Sequence, residues 1–362
     1  MGQRKKIAID AKELAKEKLL SLGYILLKLI KYLKDYDLIL LSDSKLPDEY
    51  IPDNAIAVYR EKKYSGGVDL FRYQKWMKKK MKEYKADIYF QINHFSVIRT
   101  RGIKQIVIVH DLYPLERIEK HSLPVRIAYR ISMIGTLINA DKILTVSNFT
   151  KKRLEHFFWK SAKIEVNYNG IEEPADICDV DSFACVEEPF CLMLGRVNYY
   201  KGTIRMAEIF DKYMSGCGYK LVIAGQATTD EEALRLNKMT ARNNDIIWLN
   251  YVDNNTKEWL IRNCSLFIYA SRYDGFGLPP LEAAIRKKKA VINDIEVLRE
   301  ISKGKGNYID FSAEGKMVAD ALQDALEKND AEQIDELYEI AKSYTWDRFA
   351  NKVISAFEEQ TH

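Results

Sequence analysis

Two short stretches carry the residues best suited to chemistry. In "FCLMLGRVNYYKG", Arg196 and Lys201 stand between an apolar run and a helix expected to begin near Thr203. The macrodipole disfavours a lysine at a helix amino end unless an anion shares the place. Gly195, Arg196 and Lys201 therefore point to a bound phosphate or diphosphate, and a solvated loop with two cations is the plainer alternative. In "SRYDGFGLPPLEAA", Ser271 closes a strand and a tight corner leads into a helix expected to start near Pro279 or Pro280. Proline suits a first helical position, and glycine lets backbone amides approach a ligand closely. The backbone of Gly275, Phe276, Gly277 and Leu278 thus offers a second anion cradle. Asp274 and Glu282 put carboxylates on either side of that corner; a first-turn glutamate also stabilises its own helix.

The elements that must position these residues alternate along the chain. Strand-like runs at 6–11, 36–43, 86–93, 105–111 and 141–147 are separated by helical stretches, one of them carrying Leu20, Leu26, Leu27, Ile30 and Leu33. A second series follows at 190–195, 219–225, 245–252, 264–271 and 289–294. Near-continuous apolar strands with helices between them predict parallel sheets covered on both faces. The expected architecture is α/β, with two Rossmann-like doubly wound domains facing each other across a cleft. Functional residues then fall on loops after strands. The domains are expected at 1–171 and 190–343, with an acidic linker at 172–189 and a terminal helix over 344–362.

Composition narrows the class. With 362 residues, 47% hydrophobic and 30% charged, the chain suits two soluble domains. Its apolar runs are too short to span a bilayer, and the first residues lack a signal-peptide pattern. Five cysteines without metal-ligand spacing read as reduced thiols of a cytoplasmic protein. Charge is uneven: residues 1–175 hold 33 Lys and Arg against 21 Asp and Glu, a net +12, and the remainder is −8. A basic half can face an anionic surface. The densest basic run, "RYQKWMKKKMKEYK" (72–85), sets Tyr73, Trp76, Met77 and Met81 at helical spacing. It reads either as a helix docked on the sheet or as a peripheral contact with anionic membrane. No RRM, KH or zinc pattern supports nucleic acid as a partner. Neither glycine-bearing loop supplies G-x-G-x-x-G, which sets a dinucleotide dehydrogenase aside.

The motifs "GRVNYYKG", "LVIAG" and "YASRYDGFGLPPLEA" resemble the carboxyl-terminal domain of retaining GT-B glycosyltransferases, glycosyltransferase family 4. "VIVHDLYPLE", "ADKILTVSNFTKKRL" and "VNYNGIEEP" are similar to that family's acceptor-side domain, in the same order. The resemblance implies a nucleotide-diphosphate sugar as donor and transfer of a hexose or deoxyhexose, with retention, to a glycan or lipid-linked acceptor. It implies no cofactor and no metal. Arg196 and Lys201 would meet the diphosphate, Glu282 the ribose and Asp274 the donor sugar. Base recognition would fall on backbone near Tyr251 and Val252. His110 would sit at the reacting centre, although read from residues alone it is a packed strand-end histidine. Gly23, Tyr24 and His94 would lie on the acceptor side. The final helix would cross back to the first domain. Asp274 departs from the family's Glu-x7-Glu pair by one methylene, about 1.5 Å of reach. That departure bears on the donor sugar and leaves a second reading open: a donor-binding partner subunit with little activity of its own. The enzyme reading places the chain at the inner face of a membrane, in cell-surface polysaccharide or glycoconjugate assembly.

Overall fold

Each strand–helix alternation closes into its own parallel sheet in the computed structural model of the chain. The structure describes residues 4–16, 18–61, 67–93, 99–116, 123–159, 161, 163–174, 186 and 189–359. The first sheet is built from β1 (Lys6–Asp10), β2 (Asp37–Ser42), β3 (Ala55–Tyr59), β4 (Ile88–Gln91), β5 (Lys104–Val109), β6 (Lys142–Thr145) and β7 (Ile164–Val166). Its order is β3-β2-β1-β4-β5-β6-β7, every pairing parallel. Helices α1 (Ser21–Ile30), α2 (Gly67–Glu83), α3 (Leu123–Asn139) and α4 (Asn148–Phe157) connect the strands.

The second sheet runs β8 (Phe190–Leu194), β9 (Lys220–Ala224), β10 (Ile246–Asn250), β11 (Leu266–Tyr269), β12 (Ala290–Asn293) and β13 (Asn307–Ile309) in chain order. In space the order is β10-β9-β8-β11-β12-β13, again parallel throughout. Its helices are α5 (Thr203–Tyr213), α6 (Asp230–Arg242), α7 (Asn254–Asn263), α8 (Leu278–Ala284), α9 (Glu296–Ile301), α10 (Gly315–Glu327) and α11 (Ala331–Lys342). The core strands are buried on both faces, as in Cys191, Val222 and Ile268, which is why they read as unbroken apolar runs. Strand β11 ends at Tyr269, two residues before the expected Ser271, and α8 starts at Leu278 with its prolines in the first turn.

The chain divides into one unit of residues 1–170 and 345–362 and another of residues 171–344. The boundary falls at Gly170, and the expected acidic linker 172–189 is grouped with the second unit and lies largely outside the described residues. At the two crossings the Ile171 amide donates to the Tyr344 carbonyl at 2.8 Å. Helix α12 (Trp346–Glu358) belongs to the first unit. Its Phe357 ring lies edge-on to Tyr36 and Phe90, at 5.8 and 5.6 Å. Gly170 is needed there, because a Cβ would come within 2.7 Å of the Trp346 backbone.

Helix α2 spends its apolar face on the sheet. Tyr73, Met77 and Met81 are buried with Ala8, Ile39 and Tyr89. The run 72–85 therefore presents lysines to solvent and keeps its apolar stripe for the core, which removes it as the apolar contact with a membrane. Among the described residues no helix is long and apolar enough to cross a bilayer. Cys191, Cys217 and Cys264 are free thiols, and Cys178 and Cys185 lie outside the described residues.

Candidate active site

In the second unit, two loops are laced together beyond the carboxyl ends of β8 and β11. The Arg272 amide donates to the Tyr200 carbonyl at 2.7 Å, and the Arg272 guanidinium donates to the Tyr199 hydroxyl at 2.8 Å. The Asn198 carboxamide oxygen accepts from the Lys201 amide at 2.9 Å. Gly202 then turns the chain into α5 with φ +72°, where a Cβ would stand 2.6 Å from the Ala270 carbonyl oxygen. Only glycine permits that approach. It brings Lys201 over the end of β11.

There the Lys201 ammonium donates to Asp274 Oδ1 at 2.6 Å and to the Tyr269 hydroxyl at 3.0 Å, and the Tyr269 hydroxyl donates to Asp274 Oδ2 at 2.6 Å. Burial works against the ammonium, but Asp274 together with the Tyr269 and Tyr200 hydroxyls raises the Lys201 pKa above the ordinary lysine value. Burial, then Asp274, also raises the Tyr269 phenol. The anion that justifies a lysine just before a helix is thus Asp274 itself. Arg196 is exposed, with no ion pair to a described residue. Gly195, Arg196, Lys201, Thr203 and Tyr269 line one recess. No side chain caps the amino end of α5, so its first-turn amides remain for an anion there.

Asp274 and Glu282 do not meet in a shared bond; each has its own lysine. Glu282 Oε1 accepts from Lys257 on α7 at 3.0 Å. Beneath this pair, Arg286 donates to the Glu282 carbonyl at 2.9 Å and to Glu258 Oε2 through Nε at 2.8 Å. Arg262 also binds Glu258, at 2.7 Å. Burial opposes the Glu258 carboxylate, yet the two guanidinium groups hold it below the usual range. Gly277 caps α8 with φ +96°, and a Cβ there would lie 2.7 Å from Leu298 Cδ2. Phe276 turns inward, edge-on to Tyr344 at 5.5 Å, and Gly275, Phe276 and Gly277 are all buried. Val252 is half-buried in the loop after β10, beside the exposed Tyr251.

The first unit places His110 directly after β5. Burial lowers its pKa to about 4, against the opposing effect of an Ile92 backbone acceptor, so the imidazole is neutral at pH 7. Its Nε2 is buried with no hydrogen-bond partner among the described residues. Gly23 lies where a Cβ would be 2.7 Å from the Glu13 carbonyl oxygen, so close packing of α1 accounts for it. Tyr24 lies edge-on to Trp346 at 6.2 Å. His94 is outside the described residues.

Sequence reasoning missed Tyr269, Asn198, Lys257 and the Glu258–Arg286 pair. A tyrosine closing an apolar strand beside a charged loop was a usable signal for the first. The others depend on loop and helix neighbours with no sequence pattern. Among the described residues no three His, Cys, Asp or Glu groups converge as metal ligands would.

Two family models match the chain: Glycosyltransferase Family 4 over residues 25–173, and Glycosyl transferases group 1 over residues 181–344. The chain belongs to the family 4 glycosyltransferases of GT-B fold. It is 25% identical over 65% of its length to the serotype-specific mannosyltransferase WbdA of Escherichia coli, and the match spans only 31% of that relative. O-antigen chain mannosyltransferase B of Escherichia coli is 24% identical, over 79% of this chain and 77% of its own. The crystal structure of WaaG, a glycosyltransferase involved in lipopolysaccharide biosynthesis, superposes with a TM-score of 0.77 at 12% identity, covering 98% of this chain and 100% of WaaG.

Proposed function

We propose that the chain transfers a hexosyl or deoxyhexosyl group from a nucleotide-diphosphate sugar to a hydroxyl of a glycan or lipid-linked acceptor, with retention and without a metal ion. The reaction belongs to cell-surface polysaccharide assembly at the inner face of a membrane. The observation that carries this reading is the recess where Arg196, Lys201 and the uncapped amino end of α5 converge. The names of the mannosyltransferase relatives support a hexose donor, mannose foremost.

Glycosyl transfer passes through an oxocarbenium-like state, so the departing diphosphate must be stabilised as it gains charge. Arg196 and Lys201 do this beside the α5 amides. The acceptor oxygen bonds to the anomeric carbon as the carbon–phosphate oxygen bond breaks, and the acceptor proton passes to the leaving phosphate oxygen on the same face. The donor competes with Asp274 for the Lys201 ammonium, which frees the Asp274 carboxylate for sugar hydroxyls. Glu282 holds the ribose, with Val252 and Tyr251 beside the base. His110, neutral and with an open Nε2 acceptor, serves the reacting centre; Tyr24, Gly23 and His94 belong to the acceptor side.

Arg196→Ala and Lys201→Ala are each expected to lower turnover at least about 100-fold, on the scale of a lost transition-state donor. The melting temperature is nearly kept in Arg196→Ala, whereas Lys201→Ala also loses stability because it leaves Asp274 without its ammonium. Turnover close to wild type in both variants contradicts the assignment. Activity abolished by EDTA and restored by Mn²⁺ contradicts the metal-free part. The closed Lys201–Asp274 pair favours one alternative, a donor-binding partner subunit. Donor hydrolysis by the purified chain alone excludes it.

A further inference from the structure

Helix α3 is apolar on two faces. One face is spent on the core, where Tyr129, Met133 and Leu137 pack with Val107, Val109 and Leu154. The opposite face is exposed: Leu123 at 67%, Ile127 at 49%, Ile131 at 66%, Ile134 at 37% and Ile138 at 63%. At about 100° per residue these five side chains fall within a sector of about 80°. Isolated exposed leucines and isoleucines need no explanation, but a continuous stripe over four turns of helix does.

Charge along the stripe identifies what it faces. Arg130 stands at one border, with the half-buried Arg126 one turn earlier and nearer the core face, and residues 123–139 include no Asp or Glu. Arg130 also donates to the Phe157 carbonyl at 3.3 Å and lies 5.8 Å from the Phe158 ring centre, which fixes it at that border. The surrounding half of the chain carries the +12 excess. A second copy of α3 would bring like charges together with no acid to pair them. An anionic bilayer satisfies both features, taking the isoleucines into its acyl boundary and the arginines at its phosphates.

We propose that the outer face of α3 is the membrane-docking surface of this chain, seated on anionic phospholipid. This deepens the proposed function, since it places the enzyme where a lipid-linked acceptor resides, and its choice of partner rests on that reading.

The test is flotation of the full chain with phosphatidylcholine vesicles, with and without one quarter phosphatidylglycerol, at low salt. Wild type is expected to float with the anionic vesicles and not with the neutral ones. The double variant Ile131→Glu/Ile138→Glu should lose at least tenfold in binding with its melting temperature kept, because both side chains are exposed. Arg126→Gln/Arg130→Gln should lose binding in part, and a control in α2, Lys75→Gln/Lys79→Gln, should bind as wild type. Unchanged flotation of the isoleucine variant, or no flotation of wild type, overturns the proposal. So does a wild-type dimer in sedimentation equilibrium that the same variant dissolves, which gives the face to a second copy. Nucleotide-sugar binding in the absence of vesicles reports separately on the proposed function: its loss sinks glycosyl transfer and leaves the docking surface standing.

Discussion

The two sheets share one strand order over six positions, yet the carboxyl ends of their central strands are furnished differently. In the second unit the charges are matched among themselves: Lys201 with Asp274 and Tyr269, Lys257 with Glu282 and, farther along α7 and beyond α8, Arg286 and Arg262 with Glu258. In the first unit burial suppresses charge after β1, β4 and β5, although Arg60, directly after β3, pairs with Asp69 at 2.9 Å. His110 is held neutral with Nε2 unpartnered, Gln91 Oε1 is buried and unpartnered among the described residues, and burial raises the Asp10 carboxyl. Parallel topology therefore fixes where polar groups gather without deciding whether they are ionic or neutral. Ionic groups suit a diphosphate, and neutral acceptors suit a hydroxyl-bearing substrate.

The difference can be broken by substitution. Arg286→Ala leaves the buried Glu258 carboxylate with Arg262 alone and should cost about 2 kcal/mol of stability, the scale of lost hydrogen bonds to a charged group. Urea denaturation measures it, and a cost near zero would mean that the second unit's charges do not hold its loops. On the first unit's side, His110 has a folded pKa of about 4 against an ordinary 6.5. The unfolded chain then binds the extra proton between those values. Stability from this group is full above pH 6.5 and falls as pH drops toward 4, by up to about 1.4 kcal/mol per pH unit. Wild type should show that slope relative to His110→Gln in urea titrations across pH 4–7. Parallel curves would remove the claim that this ring is held neutral. The smallest effect belongs to Lys257→Met, which breaks a partly exposed pair worth about 1 kcal/mol or less. Chemical denaturation should register little change, whereas nucleotide affinity, measured by calorimetry, should change through the freed Glu282. An unchanged affinity would detach Glu282 from the donor.

Much of this was legible in the sequence for a physical reason. Strands such as β5 and β8 are buried on both faces and announce themselves as apolar runs, and Gly202 and Gly277 sit where only glycine fits. The strands that escaped notice, β3, β7 and β13, all lie at sheet edges. They are three to five residues long and only partly buried, so their pattern is weak. The site was legible by type at Arg196, Lys201, Asp274 and Glu282, but not by partner. Spacing sets Asp274 and Glu282 on either side of one corner, and folding gives each a lysine that no pattern announces. Lys201 seemed to call for an external anion until Asp274 supplied one from within. Helix α2 shows the same limit: its periodicity described an apolar face without saying that the sheet would cover it.

The central claim is that the recess around Arg196 and Lys201 receives a nucleotide-diphosphate sugar. A thermal-shift panel of GDP-, UDP-, dTDP- and ADP-sugars, run on wild type and Lys201→Ala, tests it most directly. Ligand held only by the folded state stabilises it by about 2.7 kcal/mol at a hundred times its dissociation constant. At least one donor should raise the wild-type melting temperature, and Lys201→Ala should lose that rise. A panel that shifts nothing, or a shift that survives in Lys201→Ala, contradicts the account.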